Sequence, residues 1–215
     1  MAEVGCRLYL ISPPAIDLDP FAKLLTEALE GGDVACFQLR LPGADEATLS
    51  EAIARLAPIA QGRDVAFLVE ARVDLALRHG CDGVHIAAED GVAAARKSLG
   101  RDLILGVACG ASAHAAMEAG EAGADYVSFG PFFDSANTGV QEKAEIDILR
   151  NWALTMTVPS VAVGGVRLDN CAPLVEAGAD FLAVLGAVWT HPAGPKAAVA
   201  AFNAQIQAAR PLAPA

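Results

Sequence analysis

The chain has 215 residues, 54% hydrophobic and 19% charged, a composition outside the disordered range and long enough to bury one large core. Its net charge of -11, with only four lysines (Lys23, Lys97, Lys143 and Lys196), excludes a general nucleic-acid role, because phosphate backbones are held by clustered basic residues. The apolar stretches are strand-length, well short of the roughly 20 residues of a membrane helix, so no membrane partner is expected. No apolar signal core precedes the first predicted strand. The cysteines at 6, 36, 81, 109 and 171 are odd in number and lack CxxC spacing, which reads as buried thiols in a reducing cytoplasm rather than disulfides.

Short β-branched runs alternate with Ala/Leu/Glu-rich stretches from end to end. RLYLIS (7–12), ACFQLRL (35–41), VAFLVEA (65–71) and GVHIA (83–87) are the first four predicted strands. LILGVAC (103–109), YVSFGPF (126–132), SVAVGGV (160–166) and FLAVLGAVW (181–189) are the next four. Helical patterns such as PFAKLLTEALEGG, DEATLSEAIARLAPIAQ, DNCAPLVEAG and PKAAVAAFNAQIQAAR lie between them. Strands apolar nearly throughout belong in a parallel sheet covered by helices. Eight strand–helix units in this length predict a single closed (β/α)8 TIM barrel spanning residues 1–215. A Gly-x-Asp triplet before each even strand, at 31–33, 80–82, 123–125 and 178–180, favours closure over an open sheet. Glycine suits the helix end and Asp the entry into the next strand.

In such barrels function gathers at the C-terminal ends of the strands. Period two puts Gln38 and Arg40 on one face of strand two. A barrel interior rarely accepts a charge without a partner, so Arg40 is expected to reach into the mouth. Gly164 and Gly165 end strand seven, and Leu185-Gly186 lie in strand eight; together they are the candidate phosphate cradle, with backbone N–H groups as donors. Asp90, just past strand four, is the candidate Mg2+ ligand; its plainer reading is a helix cap for GVAAARKSLG. His85 reads as a satisfied core histidine, and His114 as peripheral.

The motifs LYLIS, CFQLR, FLVEARVDLAL, DGVHIAAED, EAGADYVSFGPFF, VPSVAVGGV and AGADFLAVLGAVW come in the order of the thiamine-phosphate synthase family and its thiazole-tautomerase relatives, which the chain resembles over nearly its whole length. The resemblance implies joining of hydroxymethylpyrimidine diphosphate to thiazole phosphate with release of pyrophosphate, assisted by Mg2+. It implies substrate binding by Gln38 and Arg40, metal binding by Asp90, and phosphate binding by the strand-seven glycines. Several expected groups are replaced. A lysine is Pro42, the Asn-Asp pair is Glu70-Ala71, and the Gly-Gln before Glu89 is Ala87-Ala88. A small hydroxyl residue is Ala108, a serine is Gly186, and the lysine of the loop after strand six is Thr138. The tautomerase histidine would fall at Gly110.

The replacements concentrate on the metal and diphosphate half of the site, so the expected Mg2+ lacks one carboxylate ligand and native synthase activity is expected to be weakened. Lys143, in the connection that lost its lysine, is the candidate catalytic replacement beside Arg40, and Glu70 is the candidate substrate-side replacement. The alternative is a non-catalytic paralogue that binds thiazole phosphate or thiamine phosphate in a regulatory or carrier role. A third reading is an enzyme for another phosphorylated substrate with Glu70 as acid or base. Each takes a small phosphorylated ligand as partner; a homo-oligomer is neither required nor excluded.

Overall fold

The eight apolar runs form the staves of one barrel. The computed structural model describes residues 5–134 and 142–209. Strands β1 (Arg7–Ile11), β2 (Val34–Leu39), β3 (Ala66–Glu70), β4 (Gly83–Ala87), β5 (Ile104–Ala108), β6 (Tyr126–Phe129), β7 (Ser160–Ala162) and β8 (Phe181–Val184) pair in sequence order, and β8 closes on β1. All pairs are parallel, with Tyr9 beside Cys36 and Ala183, and Glu70 beside His85. This is the (β/α)8 TIM barrel that the alternation of elements predicts.

The outer layer comprises α1 (Leu18–Leu29), α2 (Glu46–Gln61), α3 (Val73–His79), α4 (Val92–Leu99), α5 (Ala113–Glu121), α6 (Asp147–Thr155), α7 (Ala172–Glu176), α8 (Gly186–Trp189) and α9 (Gly194–Ala209). Period two splits each strand between two cores. Outward residues such as Leu8, Phe37, Phe67, Val84 and Val127 pack under the helices. Inward residues such as Tyr9, Cys36, Leu68, Tyr126 and Val161 fill the barrel itself. No described helix is long and apolar enough to cross a membrane. All five cysteines are buried and none is in a disulfide.

The Gly-x-Asp repeat has a more specific cause than strand entry. Asp82, at the start of β4, accepts from the Phe67 N–H of β3 at 2.7 Å. Asp125 does the same for Leu105 of β5, and Asp180 for Ser160 of β7, each at 2.7 Å. Asp33 instead takes the Arg7 side chain of β1. Each carboxylate thus ties the N-terminal end of an even strand to that of the odd strand before it. Three of these are charge-assisted bonds to amides at the open ends of the ladder and the fourth is an Arg–Asp ion pair, all stronger than a neutral hydrogen bond.

The strand ends at the mouth depart from the sequence reading. Residues 163–166 lie beyond β7, and the run predicted as strand through 189 ends at Val184. Gly186 therefore opens the short helix α8 rather than lying in a strand. The turn swings Trp189 back over β1, where its indole N–H donates to the Ile11 carbonyl at 2.6 Å and its ring packs on Phe21. An extended chain would carry that large side chain away from both partners.

Candidate active site

At the C-terminal ends of the strands the barrel opens into a cavity of about 840 Å3. Its polar wall is built by inward positions of successive strands: Tyr9 from β1, Gln38 and Arg40 from and just beyond β2, Glu70 from β3, His85 from β4, and Ser128 from β6. The other wall is mainly backbone and small side chains: Gly164, Gly165, Leu185, Gly186 and Ala187, with Arg167 and Thr190 at the rim. Arg40 reaches the mouth as expected, but not alone. Its Nε donates to Glu70 Oε1 at 2.9 Å, and each side chain is about a third exposed. The Arg40 backbone is pinned by Ser12, whose hydroxyl accepts from the Arg40 N–H at 2.9 Å and donates to its carbonyl.

Beneath this pair runs a buried chain of hydrogen bonds. The Tyr9 hydroxyl donates to Gln38 Oε1 at 2.8 Å, meets the Tyr126 hydroxyl at 2.9 Å, and Tyr126 in turn lies 2.9 Å from His85 Nδ1. Burial pushes both phenols well above their ordinary pKa. Burial, with the nearby Arg40 charge second, lowers the imidazole of His85 to about 4. His85 is thus a neutral, half-buried group on the cavity floor, not only a core histidine.

The glycine wall is shaped by a tight turn. Gly165 has a φ of 66°, and a Cβ there would meet the carbonyl oxygens of Asp134 and Phe133 at 2.6 and 2.7 Å. The Gly164 carbonyl accepts from the Phe133 N–H, and Asn170 Nδ2 donates to the Gly165 carbonyl. Gly186 differs, since a Cβ added to it would meet nothing within 4 Å.

The expected metal donors do not assemble. Asp90 is exposed and is not part of the cavity wall; its carboxylate folds back on a 3-10 turn (Ala88–Asp90) to accept from the Ala87 N–H at 3.0 Å. Nor does it cap α4, whose N-cap is Gly91 without a side-chain bond. Among the described residues no three His, Cys, Asp or Glu side chains cluster closely enough to hold a metal ion. Ala71 offers no donor, yet it keeps a left-handed backbone, with φ of 53°, a conformation that Asn and Asp adopt more readily than Ala. Lys143 is not part of the cavity wall but pairs at 2.8 Å with Asp134, which does line the cavity. Thr138, where the loop lysine is replaced, lies outside the described residues. His114 is a surface residue 3.5 Å from Glu118.

The polar residues of the cavity that went unread in the sequence are Tyr9, Ser128, Arg167, Thr190 and, just below the lining, Tyr126. Three of them hold inward positions on strands, and their period-two partners were the available signal. Arg167 lies two residues past Gly165, beyond the strand pattern.

A closed (β/α)8 barrel with a polar mouth and a glycine-lined wall defines a class of small-molecule barrel proteins. Within that class the chain is placed by comparison. The family model described as thiamine monophosphate synthase matches residues 8–188. The thiamine-phosphate synthase of Rhodospirillum centenum is 53% identical over 199 residues, covering 92% of this chain and 96% of that protein. That of Erythrobacter litoralis is 48% identical over 212 residues, covering 96% and 98%. The solved thiamine phosphate pyrophosphorylase of Pyrococcus furiosus superposes with a TM-score of 0.83 at 29% identity, covering 95% of this chain and 97% of that one. The chain belongs to the thiamine monophosphate synthase family.

Proposed function

We propose that this chain is a thiamine-phosphate synthase. It would join hydroxymethylpyrimidine diphosphate to thiazole phosphate: the bond between the pyrimidine's methylene carbon and the diphosphate oxygen breaks, pyrophosphate leaves with the electron pair, and the thiazole nitrogen forms the new C–N bond. The observation that carries the reading is the composition of the cavity at the barrel mouth. It brings the Gln38 and Arg40 side chains together with the Gly164–Gly165 turn in a volume of about 840 Å3, large enough for two small ring compounds.

In this reading the thiazole monophosphate lies against the amides of Gly164, Gly165 and the Leu185-Gly186 turn. Backbone dipoles there can hold an anion in a protein of net charge -11. Gln38 faces the pyrimidine, and the Arg40 guanidinium faces the departing diphosphate, where charge develops in the transition state. Glu70 holds Arg40 in place at the cost of neutralising part of its charge. Arg167, which lines the rim, and Lys143, tied to Asp134, are further cations near it. The residues do not fit the Mg2+ pair that the family implies, because Ala71 has no carboxylate and Asp90 is turned onto Ala87. No step is therefore routed through a metal.

One observation favours a second reading. The loss of the donor at 71 and the withdrawal of Asp90 spare the glycine wall, as in a binder of thiazole phosphate or thiamine phosphate that does not turn over. The same experiment tests both. Purified protein is incubated with both substrates and Mg2+, and thiamine phosphate is measured. Product above background, abolished by Arg40→Ala, supports the synthase. Its absence, together with calorimetric binding of thiazole phosphate that Gly165→Trp removes, supports the binder. Absence of both product and binding sinks both readings.

A further inference from the structure

We propose that Tyr9 and Tyr126 are positioning residues: together they hold His85 as the Nδ1–H tautomer, so that its Nε2 meets a ligand in the cavity as a proton acceptor. The single protons of the two phenols leave one consistent arrangement along the buried chain. Gln38 Oε1 can only accept, so the Tyr9 hydroxyl, 2.8 Å away, donates its single proton there. The 2.9 Å contact between the two phenols must then be filled by the proton of Tyr126. Tyr126, its proton committed to Tyr9, can only accept at its 2.9 Å contact with His85 Nδ1, and Nδ1 must carry the hydrogen.

The opposite polarity would set a Tyr9 lone pair against the Gln38 carbonyl oxygen, leaving two buried acceptors facing each other, which is costly. The Cys36 thiol beside Tyr9 does not change the count, because the Tyr9 oxygen can accept from both it and Tyr126. Burial and the nearby Arg40 keep the ring neutral, with one hydrogen to place. Nδ1 holds that hydrogen, and Nε2 has no partner among the described residues. The register of β3 and β4 puts Glu70 beside His85, and Glu70 is itself engaged by Arg40. The control is remote, since the tautomer of a residue on β4 is set by an amide on β2 through hydroxyls on β1 and β6.

The ligand-facing role rests on reading this cavity as the substrate site, whereas the tautomer does not. The test is therefore a measurement on the unliganded chain: side-chain 15N shifts of His85 at neutral pH, from long-range 1H–15N correlation. Wild type should show a pyrrole-type Nδ1 and a pyridine-type Nε2. Tyr9→Phe touches no atom bonded to the imidazole, but it removes the acceptor of the Tyr126 proton. Tyr126 should then donate to Nδ1, inverting the tautomer to Nε2–H. Gln38→Glu keeps an acceptor at the head of the chain and should leave the wild-type pattern intact. A wild-type Nε2–H tautomer overturns the proposal whatever the variants do, and so does a folded Tyr9→Phe with the wild-type pattern. Failure of the synthase assay would leave these spectra unchanged, so the two readings fail separately.

Discussion

Gly165→Ala puts one methyl group where the tertiary structure forbids it. The backbone there is left-handed, with φ of 66°, which costs an L-residue about 1–2 kcal/mol. The new Cβ would also sit 2.6 Å from the Asp134 carbonyl oxygen and 2.7 Å from that of Phe133. Both are backbone atoms that no rotamer change can remove, so the turn itself must shift, at about 1–3 kcal/mol by analogy with overpacked cores. The two costs together come to about 2–5 kcal/mol, which for a chain of this size lowers Tm by roughly 4–20 °C. Gly186→Ala is the matched control. It adds the same methyl group on the same cavity wall with nothing within 4 Å, so its Tm should stay within about 2 °C of wild type. Thermal unfolding followed by circular dichroism, backed by urea midpoints, measures both. If Gly165→Ala melts with wild type, or Gly186→Ala falls as far as Gly165→Ala, then the packing of the glycine turn against residues 133–134 is wrong.

Glu70→Gln removes one partner of a third-exposed ion pair, so its Tm should move by no more than a few degrees. The freed Arg40 should bind inorganic pyrophosphate several-fold more tightly, with a steeper salt dependence by calorimetry; unchanged affinity would mean that Glu70 does not restrain Arg40. His85 titrates near 4 when folded, below its ordinary 6.5, because of burial first and Arg40 second. Between those values the unfolded chain binds more protons, so this group's contribution is complete above about pH 6.5 and is lost as pH falls toward 4, by up to about 3 kcal/mol. Urea titrations at pH 7 and 4.5 should show that loss in wild type and a smaller one in His85→Gln. Ala71→Asp places a carboxylate on a left-handed backbone that Asp tolerates, so its Tm should stay within about 2 °C of wild type. If position 71 is the missing metal donor, its turnover with Mg2+ should exceed that of wild type in the thiamine phosphate assay, and equal turnover would locate the deficit elsewhere.

The places where sequence reasoning stopped short have physical causes. The Asp of each Gly-x-Asp triplet was legible as a repeat, but its bond runs to a strand about 15 to 26 residues earlier, and no local pattern specifies that partner. The run at 181–189 is apolar throughout and so reads equally as strand or helix. The pull of Ile11 and Phe21 on Trp189 ended the strand at Val184. Asp90 has the composition of a cap and of a metal ligand. The 3-10 turn gave its carboxylate to Ala87 instead, a choice made by three residues of backbone geometry.

The alternation of apolar strands with amphipathic helices, together with the family motifs, is enough to specify the barrel, its eight staves and the faces on which Gln38, Arg40 and the glycines lie. Burial pattern is a one-dimensional property, and period two carries it along each strand. Which groups meet across the mouth is not written in any period. Tyr9 and Tyr126 are 117 residues apart, and Arg40 and Glu70 are 30 apart. Closure of β8 on β1 and the shared register of the strands brought them within hydrogen-bonding distance. Pairing of β2 with β3 turned Glu70 from a candidate substrate-side replacement into the partner of Arg40, and closure turned His85 from a core residue into the end of a buried proton chain.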